Sequence, residues 1–159
     1  MSLARTAWRA VFVAVGVIAL DQIVKAIVRA RIDPFETVHL IPGVKLVRAS
    51  NSGVAFSVFS GGGPLVVIIA ILALGALLTF FVKNLDRPLV WLPTGMLLGG
   101  AAGNLIDRVR DGAVTDFIKL PGWPAFNVAD IAITFGVLAL LYVLEGPPRA
   151  REREAMEAG

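Results

Sequence analysis

Two long stretches of this chain contain no charged residue, and they constrain its fold more than any other feature. They run from Gly61 to Val82 and from Leu89 to Ile106. A helix that crosses a lipid bilayer needs about 20 mostly apolar residues, so each stretch is long enough to span. The apolar segments 10–20 and 131–144 are shorter, and they reach spanning length only if the polar residues beside them are included. The sequence therefore predicts four transmembrane helices, at about 7–28, 64–82, 89–107 and 127–145.

Composition agrees with a membrane protein and excludes several chemistries. Hydrophobic residues make up 57% of the 159, whereas a soluble domain is typically about 45–50% apolar even with glycine counted. Cysteine is absent, which excludes thiol catalysis and disulfides, and the single histidine, His39, nearly excludes a histidine-based metal site. The net charge of +3 does not indicate nucleic-acid binding, because Lys and Arg are scattered at helix ends, where anionic lipid headgroups explain them.

The first apolar segment has two interpretations. Arg5 and Arg9 precede it, as in a cleaved signal peptide. However, no small-x-small cleavage site follows, and Asp21 and Lys25 continue the segment at helical spacing. These flanks favour a retained transmembrane helix.

The remaining regions separate into loops, strands and a tail. Residues 31–60 contain short Val, Leu and Phe runs broken by Pro42-Gly43 and by Asn51-Ser52-Gly53, which predicts a small β-rich region. Residues 109–126 are predicted to form a second loop. The whole of 1–146 is predicted to be one membrane domain, followed by a charged tail at 147–159.

Polar residues collect on one side of the predicted bundle. Four crossings put both termini on one side of the membrane, and the polar residues within or beside the apolar segments fall on the other. Such residues are costly in a membrane and are default candidates for function. The numbers of Lys and Arg near the helix ends are almost equal on the two sides, so the positive-inside rule does not orient the chain. The clustered residues are Asp21, Lys25, Asn51, Asn104, Asp107, Arg108, Asp116, Asn127 and Asp130.

Asp116 and Asp130 are the best catalytic candidates. Two carboxyls that share one proton can hydrolyse a peptide, one acting as base toward water and the other as acid toward the carbonyl. Asp130 would lie in the first turn of the last helix, where the helix dipole favours its charged form, so it is assigned the base and Asp116 the acid. In the alternative interpretation, Asp130 only caps the helix, in an Asn-x-x-Asp box that begins at Asn127, and Asp116 is a solvated loop acid.

Other polar pairs have structural interpretations as well. Asn104, Asp107 and Arg108 share one helix face, and Asp107 or Asp116 is a candidate ion-pair partner of Arg108. Arg108 is also a candidate ligand for a substrate carbonyl or a lipid headgroup. Asn51 is a candidate hydrogen-bond partner of an extended peptide.

Two further pairs of residues are interpreted as structural and not as catalytic. Asp21 and Lys25 are four residues apart with the acid first, which favours a structural ion pair. Gly99 and Gly103 form a small-xxx-small pair that permits close helix approach.

Taken in order, five sequence blocks resemble the lipoprotein signal peptidase family (signal peptidase II), the membrane aspartic peptidases of bacteria. Any one block is weak, but five in family order across most of the chain are specific. The blocks are Asp21-Gln22-x-x-Lys25, Asn51-x-Gly53-x-Ala55-Phe56, GGAAGNLIDR from Gly99 to Arg108, Val114-x-Asp116-Phe117 and Phe126-Asn127-x-Ala129-Asp130.

The resemblance implies a four-helix protein of the bacterial inner membrane, with both termini cytoplasmic and an extracytoplasmic β-rich cradle at 31–60. It implies a monomeric peptidase without metal or cofactor that cleaves prolipoproteins just before a diacylglyceryl-modified cysteine. The peptide antibiotic globomycin would inhibit it. Asp116 and Asp130 would be catalytic, and Asp21, Lys25 and Asp107 would support the site. Substrate would contact Asn51, Gly53, Asn104, Arg108, Asn127 and Ala129.

Two other classes compete with a peptidase. A transporter or channel would use the carboxylates as proton or cation sites, but its polar residues should continue through to both faces. A structural subunit would use the Gly99–Gly103 pair for helix packing and need none of the aspartates.

Overall fold

The computed structural model describes residues 2–53 and 62–145. Ala55 and Phe56 of the second sequence block, the predicted end of the β-rich region and the predicted tail at 147–159 lie outside these residues. The elements, in chain order, are helix α1 (Leu3–Arg31), strands β1 (Thr37–Ile41) and β2 (Val44–Asn51), helices α2 (Gly62–Lys83) and α3 (Trp91–Asp111), strand β3 (Val114–Lys119) and helix α4 (Val128–Glu145).

The distribution of side chains is the reverse of that in a soluble protein. Large apolar side chains face outward, with Phe12 81% exposed and Leu72 66% exposed, whereas Asp21 and Lys25 are 0% exposed. By length and composition, α1, α2 and α4 are each able to cross a membrane. Within a bilayer, outward apolar residues face lipid tails and polar groups are satisfied inside the protein. The predicted membrane fold of four helices with a small β region is confirmed.

Helices α1, α2 and α4 all pack against helix α3. Its glycines permit this packing. A Cβ on Gly99 would lie 2.7 Å from the carbonyl oxygen of Ala14 in α1, and one on Gly103 would lie 2.8 Å from a carboxylate oxygen of Asp21. Gly100 approaches α4 equally closely. The predicted close approach at Gly99 and Gly103 is therefore confirmed, and α3 is the central helix.

The sheet corrects the prediction that residues 109–126 form only a loop. Helix α3 continues to Asp111 and ends at Gly112, whose φ of 74° is the left-handed conformation that favours glycine at a helix end. Strand β3 follows and pairs antiparallel with β2, in the sheet order β1-β2-β3. Turn residues at 111–112 and 121–122 are typical of a loop, whereas the strand between them is defined by pairing with a distant segment.

The sheet is fixed to the end of α1 by a small apolar cluster. Phe117 on β3 is 3% exposed and packs with Val28 and Ile32 at the C-terminal end of α1. Because side chains alternate along a strand, burying Phe117 on this side directs its neighbour Asp116 to the other face of the sheet. The hydrophobic anchor therefore also sets the direction of the acidic side chain.

Candidate active site

Asp116, on β3, is held by two amide groups. It is 2% exposed. The Asn127 Nδ2 donates to Asp116 Oδ1 at 2.6 Å, and the Asn51 Nδ2 donates to Asp116 Oδ2 at 2.9 Å. Both carboxyl oxygens therefore have a donor although almost no water can reach them.

Asp130 lies in the first turn of α4 and closes the predicted capping box with Asn127. The backbone N–H of Asn127 donates to Asp130 Oδ2 at 3.1 Å, and the backbone N–H of Asp130 donates to Asn127 Oδ1 at 3.0 Å. This reciprocal pair confirms the box. The other carboxyl oxygen, Oδ1, accepts from the Asn104 Nδ2 at 2.9 Å. Capping and a place in the site are thus compatible for Asp130.

Asn104 and Asn127 bridge the two carboxyls. Asn127 binds Asp116 through its side-chain amide and Asp130 through its backbone N–H and side-chain oxygen. Asn104 binds Asp130 through its amide, and its Oδ1 accepts from the Asn127 Nδ2 at 3.2 Å. One connected set of hydrogen bonds therefore joins the acid from the strand to the acid from the helix.

The environment of Asp116 favours its protonated form. Burial raises the pKa of this carboxyl above its usual value, and the negative charge of Asp130 raises it further. The amides of Asn51 and Asn127 oppose the shift by stabilising the carboxylate, but they do not reverse it. Asp116 is therefore suited to holding a proton where an ordinary aspartate would lose it.

Asn51 owes its position to the Asn-x-Gly sequence. It is the last residue of β2, and its Oδ1 accepts from the backbone N–H of Gly53 at 3.0 Å. This bond forms an Asx turn, and Gly53 has φ 78°, a left-handed conformation that favours glycine. The turn fixes the oxygen of the amide and leaves the nitrogen for Asp116. The prediction that Asn51 binds an extended peptide did not anticipate this bond.

Beneath the two acids lies a buried ion cluster. Lys25 Nζ is 2.8 Å from Asp21 Oδ2 and 3.0 Å from Asp107 Oδ2, and all three side chains are 0% exposed. Its third donor goes to Asn104 Oδ1 at 2.9 Å. The predicted Asp21–Lys25 pair is confirmed. Because Lys25 holds the same Asn104 that binds Asp130, the cluster supports the site directly.

The expected ion pairs of Arg108 are wrong. Asp107 pairs with Lys25 and not with Arg108, because consecutive helix residues such as 107 and 108 point in different directions. The carboxyl oxygens of Asp116 accept hydrogen bonds from side-chain amides. Arg108 instead donates from Nη1 to the carbonyl of Asn104 at 3.3 Å, and its Nε is buried without a partner among the described residues. It lines a cavity of about 420 Å³ between α2 and α3. The Arg108 side chain therefore lies at the cavity wall without an ion pair among the described residues.

Ala129 is enclosed between α3 and α4. It is 0% exposed, and its carbonyl faces Gly100 of α3. Its backbone N–H donates to Asp21 Oδ1 at 3.0 Å. A small residue is required here because α3 and α4 are in contact, which leaves no surface of Ala129 for a substrate.

The sequence alone did not assign roles to three residues of the site. Gln22 donates to Asp107 Oδ1 at 3.0 Å, and the backbone N–H of Thr115 donates to Asp107 Oδ2 at 3.1 Å. Arg29 donates to the Thr115 Oγ1 at 3.0 Å. Gln22 was part of a recognised block, so its position gave a signal, whereas Thr115 and Arg29 gave none.

An apolar cavity of about 300 Å³ opens beside Asp130. Its wall combines the loop after β3 with the first turns of α4, so it reaches from the acid toward the lipid-facing surface. The lining residues are Leu120, Trp123, Phe126, Asp130, Ile131, Thr134 and Phe135.

Fold and site together define a class: a multi-span membrane protein with two linked carboxyls at one end of its helices, beside an apolar cavity. Within that class, the chain belongs to the signal peptidase II family, whose model matches residues 13–145. It is therefore a membrane-embedded peptidase.

Individual relatives agree with this assignment. The chain is 42% identical over 140 residues to the lipoprotein signal peptidase of Syntrophomonas wolfei, covering 87% of this chain and 94% of that protein. It is 39% identical over 140 residues to that of Moorella thermoacetica, covering 87% and 93%. A solved bacterial membrane enzyme structure, obtained by the in meso method at 1.9 Å, superimposes with a TM-score of 0.80 at 33% identity, covering 85% of this chain and 91% of that one.

Proposed function

We propose that this protein is an aspartic endopeptidase that removes signal peptides from diacylglyceryl-modified prolipoproteins, cleaving just before the lipidated cysteine. The observation that carries the proposal is the hydrogen-bonded bridge through Asn104 and Asn127, which joins two acids from separate elements. Similarity to proteins named lipoprotein signal peptidase supports the substrate class.

The mechanism uses one proton shared between Asp116 and Asp130. The ionised carboxylate removes a proton from water as the water oxygen attacks the scissile carbonyl, and the protonated carboxyl donates its proton to the carbonyl oxygen. The tetrahedral gem-diol intermediate then collapses: the carboxylate that gave up its proton takes one back from a hydroxyl group of the intermediate, the C–N bond breaks, and the leaving nitrogen takes the proton that the other carboxyl gained from water. The pair ends with one proton and is ready for another cycle.

The geometry favours Asp116 as the initial acid and Asp130 as the initial base. Burial raises the pKa of Asp116, which suits a proton donor. Asp130 accepts the backbone N–H of Asn127 at the start of α4, where the helix dipole stabilises negative charge. Because the two carboxyls share one proton, these roles describe the starting state and exchange during the cycle.

The cavities suggest how the substrate is held. The apolar cavity beside Asp130 suits a lipid-borne or apolar part of the substrate, next to the bond that is cut. The guanidinium group of Arg108, which lines the cavity between α2 and α3, suits a peptide carbonyl or headgroup oxygen. Asn51, Gly53, Asn104 and Asn127 would act by fixing the two acids, with Asn51 and Gly53 placing the end of β2 beside the bound peptide.

The site is proposed to face the extracytoplasmic side of the bacterial inner membrane, with both termini cytoplasmic. Water reaches a site near helix ends more readily than one at mid-bilayer. Among the described residues, the buried ionisable side chains all lie at this one end: Asp21, Lys25, Asp107 and Asp116. A transporter would need such groups along the whole path through the membrane, so this placement favours the peptidase.

A cleavage assay with purified protein tests the function. We expect cleavage of a diacylglyceryl-modified precursor immediately before the modified cysteine, as read from product masses, and none of the same precursor without lipid. EDTA should leave the rate unchanged, because the proposed mechanism activates water with the two carboxyls alone. Cleavage at another bond, equal cleavage without lipid, or loss of activity with EDTA would each contradict the proposal.

The pH dependence tests the protonation of Asp116. Activity needs one proton on the pair, so it should fall as pH rises through the raised pKa. The Asn51 amide stabilises the Asp116 carboxylate, so its removal favours the protonated form. In Asn51→Ala, the alkaline limb of kcat/KM against pH should move upward by about one to two pH units, the equivalent of one hydrogen bond to a charged group.

Ser52→Ala is the matched control for this measurement. Ser52 is exposed beside Asn51 and should leave the alkaline limb where it is in the wild type. An unchanged or downward limb in Asn51→Ala would contradict a proton held on Asp116. The test depends on the position of the limb and not on its height, so a weaker substrate interaction in the variant does not affect it.

A further inference from the structure

A polar cavity, distinct from the two cavities described above, lies at the same end of the bundle as the acids. Its volume is about 500 Å³, and it lies between the C-terminal ends of α1 and α3 and the paired strands β2 and β3. The polar residues that line it are Arg29, Arg48, Ser50, Arg110, Asp111 and Thr115. We call it the arginine pocket.

The arginine pocket is separate from the catalytic acids. Ala49 pairs with Asp116 across β2 and β3, and the next pair along is Ser50 with Thr115. Directly paired residues share a face and successive pairs alternate. Ser50 and Thr115 therefore lie on the face of the sheet opposite to Asp116.

The arginine pocket carries excess positive charge. Its three guanidinium groups face one carboxylate of the pocket, Asp111, which Arg110 binds through two nitrogens at 3.0 and 2.8 Å. Asp107 lies 3.8 Å from Arg29 and 3.7 Å from Arg110, and Lys25, which it shares with Asp21, cancels only one of these two carboxylates. Three guanidinium groups therefore face two uncancelled carboxylates, an excess of one formal positive charge. The partial negative charge at the C-terminal ends of α1 and α3 reduces this excess.

The arginine pocket also has guanidinium N–H groups that no described contact uses. The described contacts of Arg29 and Arg48 use only Nη1, from Arg29 to Thr115 Oγ1 at 3.0 Å and from Arg48 to the Arg29 carbonyl at 3.1 Å. Each guanidinium therefore retains N–H groups on its other nitrogens. Planar guanidinium edges with free N–H groups suit the oxygens of a phosphate group.

The position of the arginine pocket relative to the membrane indicates the source of such a phosphate. Helix α1 has 29 residues. At about 1.5 Å per residue it is roughly 43 Å long, close to the full thickness of a bilayer with its headgroups. Arg29 lies in its last turn and therefore at the level of the headgroups.

We propose that the arginine pocket binds a phosphate group at the membrane surface, as carried by an anionic phospholipid. The guanidinium N–H groups that no described contact uses favour a headgroup whose phosphate charge is not cancelled by an ammonium group. Inorganic phosphate offers the same chemistry from solution, and the experiment separates the two sources.

The test measures lipid retention by native mass spectrometry. The full chain is reconstituted in phosphatidylcholine nanodiscs with or without phosphatidylglycerol, then extracted and weighed. Wild type should retain phosphatidylglycerol in preference to phosphatidylcholine. Arg48→Gln and Arg110→Gln should each reduce that retention about tenfold, the loss of one charge-assisted contact. Arg31→Gln, an exposed arginine at the same helix end but outside the pocket, should retain as much as wild type.

A second arm titrates inorganic phosphate against the same samples. If inorganic phosphate displaces phosphatidylglycerol only from proteins with an intact arginine pocket, the pocket binds phosphate both from lipid and from solution. If inorganic phosphate displaces no phosphatidylglycerol, the pocket binds phosphate only as part of a lipid. Equal retention of both lipids by wild type, or equal losses in the Arg31 and Arg48 variants, overturns the proposal. Unchanged thermal unfolding in each variant shows that a loss of retention is not a loss of fold.

Discussion

Replacing Asp116 or Asp130 by asparagine is expected to lower the rate of precursor cleavage by at least about a thousandfold, since an amide can neither take a proton from water nor return one. Each change removes the shared proton altogether. The loss should appear in kcat, because the carboxyls act on the reacting bond. Initial rates with a lipidated precursor measure it.

Two observations separate this loss from misfolding. Each variant should insert into the membrane and remain folded at the assay temperature, because asparagine keeps the shape of the side chain and one of its two acceptor oxygens. Asp33→Asn alters an exposed acid just after α1 and should cleave at the wild-type rate. Turnover near wild type in either dyad variant would exclude that residue from the chemistry.

The second large effect is expected from Lys25→Met. Lys25 is 0% exposed and binds Asp21, Asp107 and Asn104 with its three donors. Methionine fills a similar volume but leaves two buried carboxylates without their cation. Breaking a buried ion pair in this way typically costs about 3–5 kcal/mol of unfolding free energy. Activity should fall as well, because Asn104 loses the contact that orients it toward Asp130.

Thermal unfolding in detergent measures this destabilisation. Lys45→Met, on an exposed part of β2, is the matched control and should change stability little. Adding Asp107→Asn to Lys25→Met should recover part of the loss, because it removes one of the two unpaired charges. If Lys25→Met unfolds like Lys45→Met, the ion cluster does not hold the helices together.

Local signals allowed most of the helical fold to be predicted from the sequence. Uncharged apolar runs define α2 and α3, and the box from Asn127 to Asp130 defines the start of α4, because both are properties of neighbouring residues. The Asp21–Lys25 pair was predicted for the same reason, since one helical turn brings the two together.

The predictions from sequence were wrong where segments that are distant in the chain come into contact. Strand β3 is a strand because Ser50 pairs with Thr115, and nothing within residues 109–126 reveals a partner so far away in the chain. Likewise, Asp107 was considered with its neighbour Arg108, whereas its cation comes from α1. Pairing across the bundle depends on the glycine contacts of α3, which set how closely α1 approaches.

The residues predicted to contact substrate differ in whether a ligand could reach them in the structure. Arg108 borders a cavity, whereas Ala129 is enclosed between helices, although both lie in recognised sequence blocks. A block records that a residue type is required but not whether a ligand or a packing contact requires it. The distinction came from burial and from the bond between Ala129 and Asp21.

The most direct test of the central claim is a double-mutant cycle on cleavage of the lipidated precursor. Rates are measured for Asp116→Asn, Asp130→Asn and the variant carrying both changes. If the two carboxyls work on one proton, the double variant should be no slower than either single variant, because the first change already removes the function of the pair. If the two losses instead multiply in the double variant, each acid acts alone, and the shared-proton mechanism is contradicted.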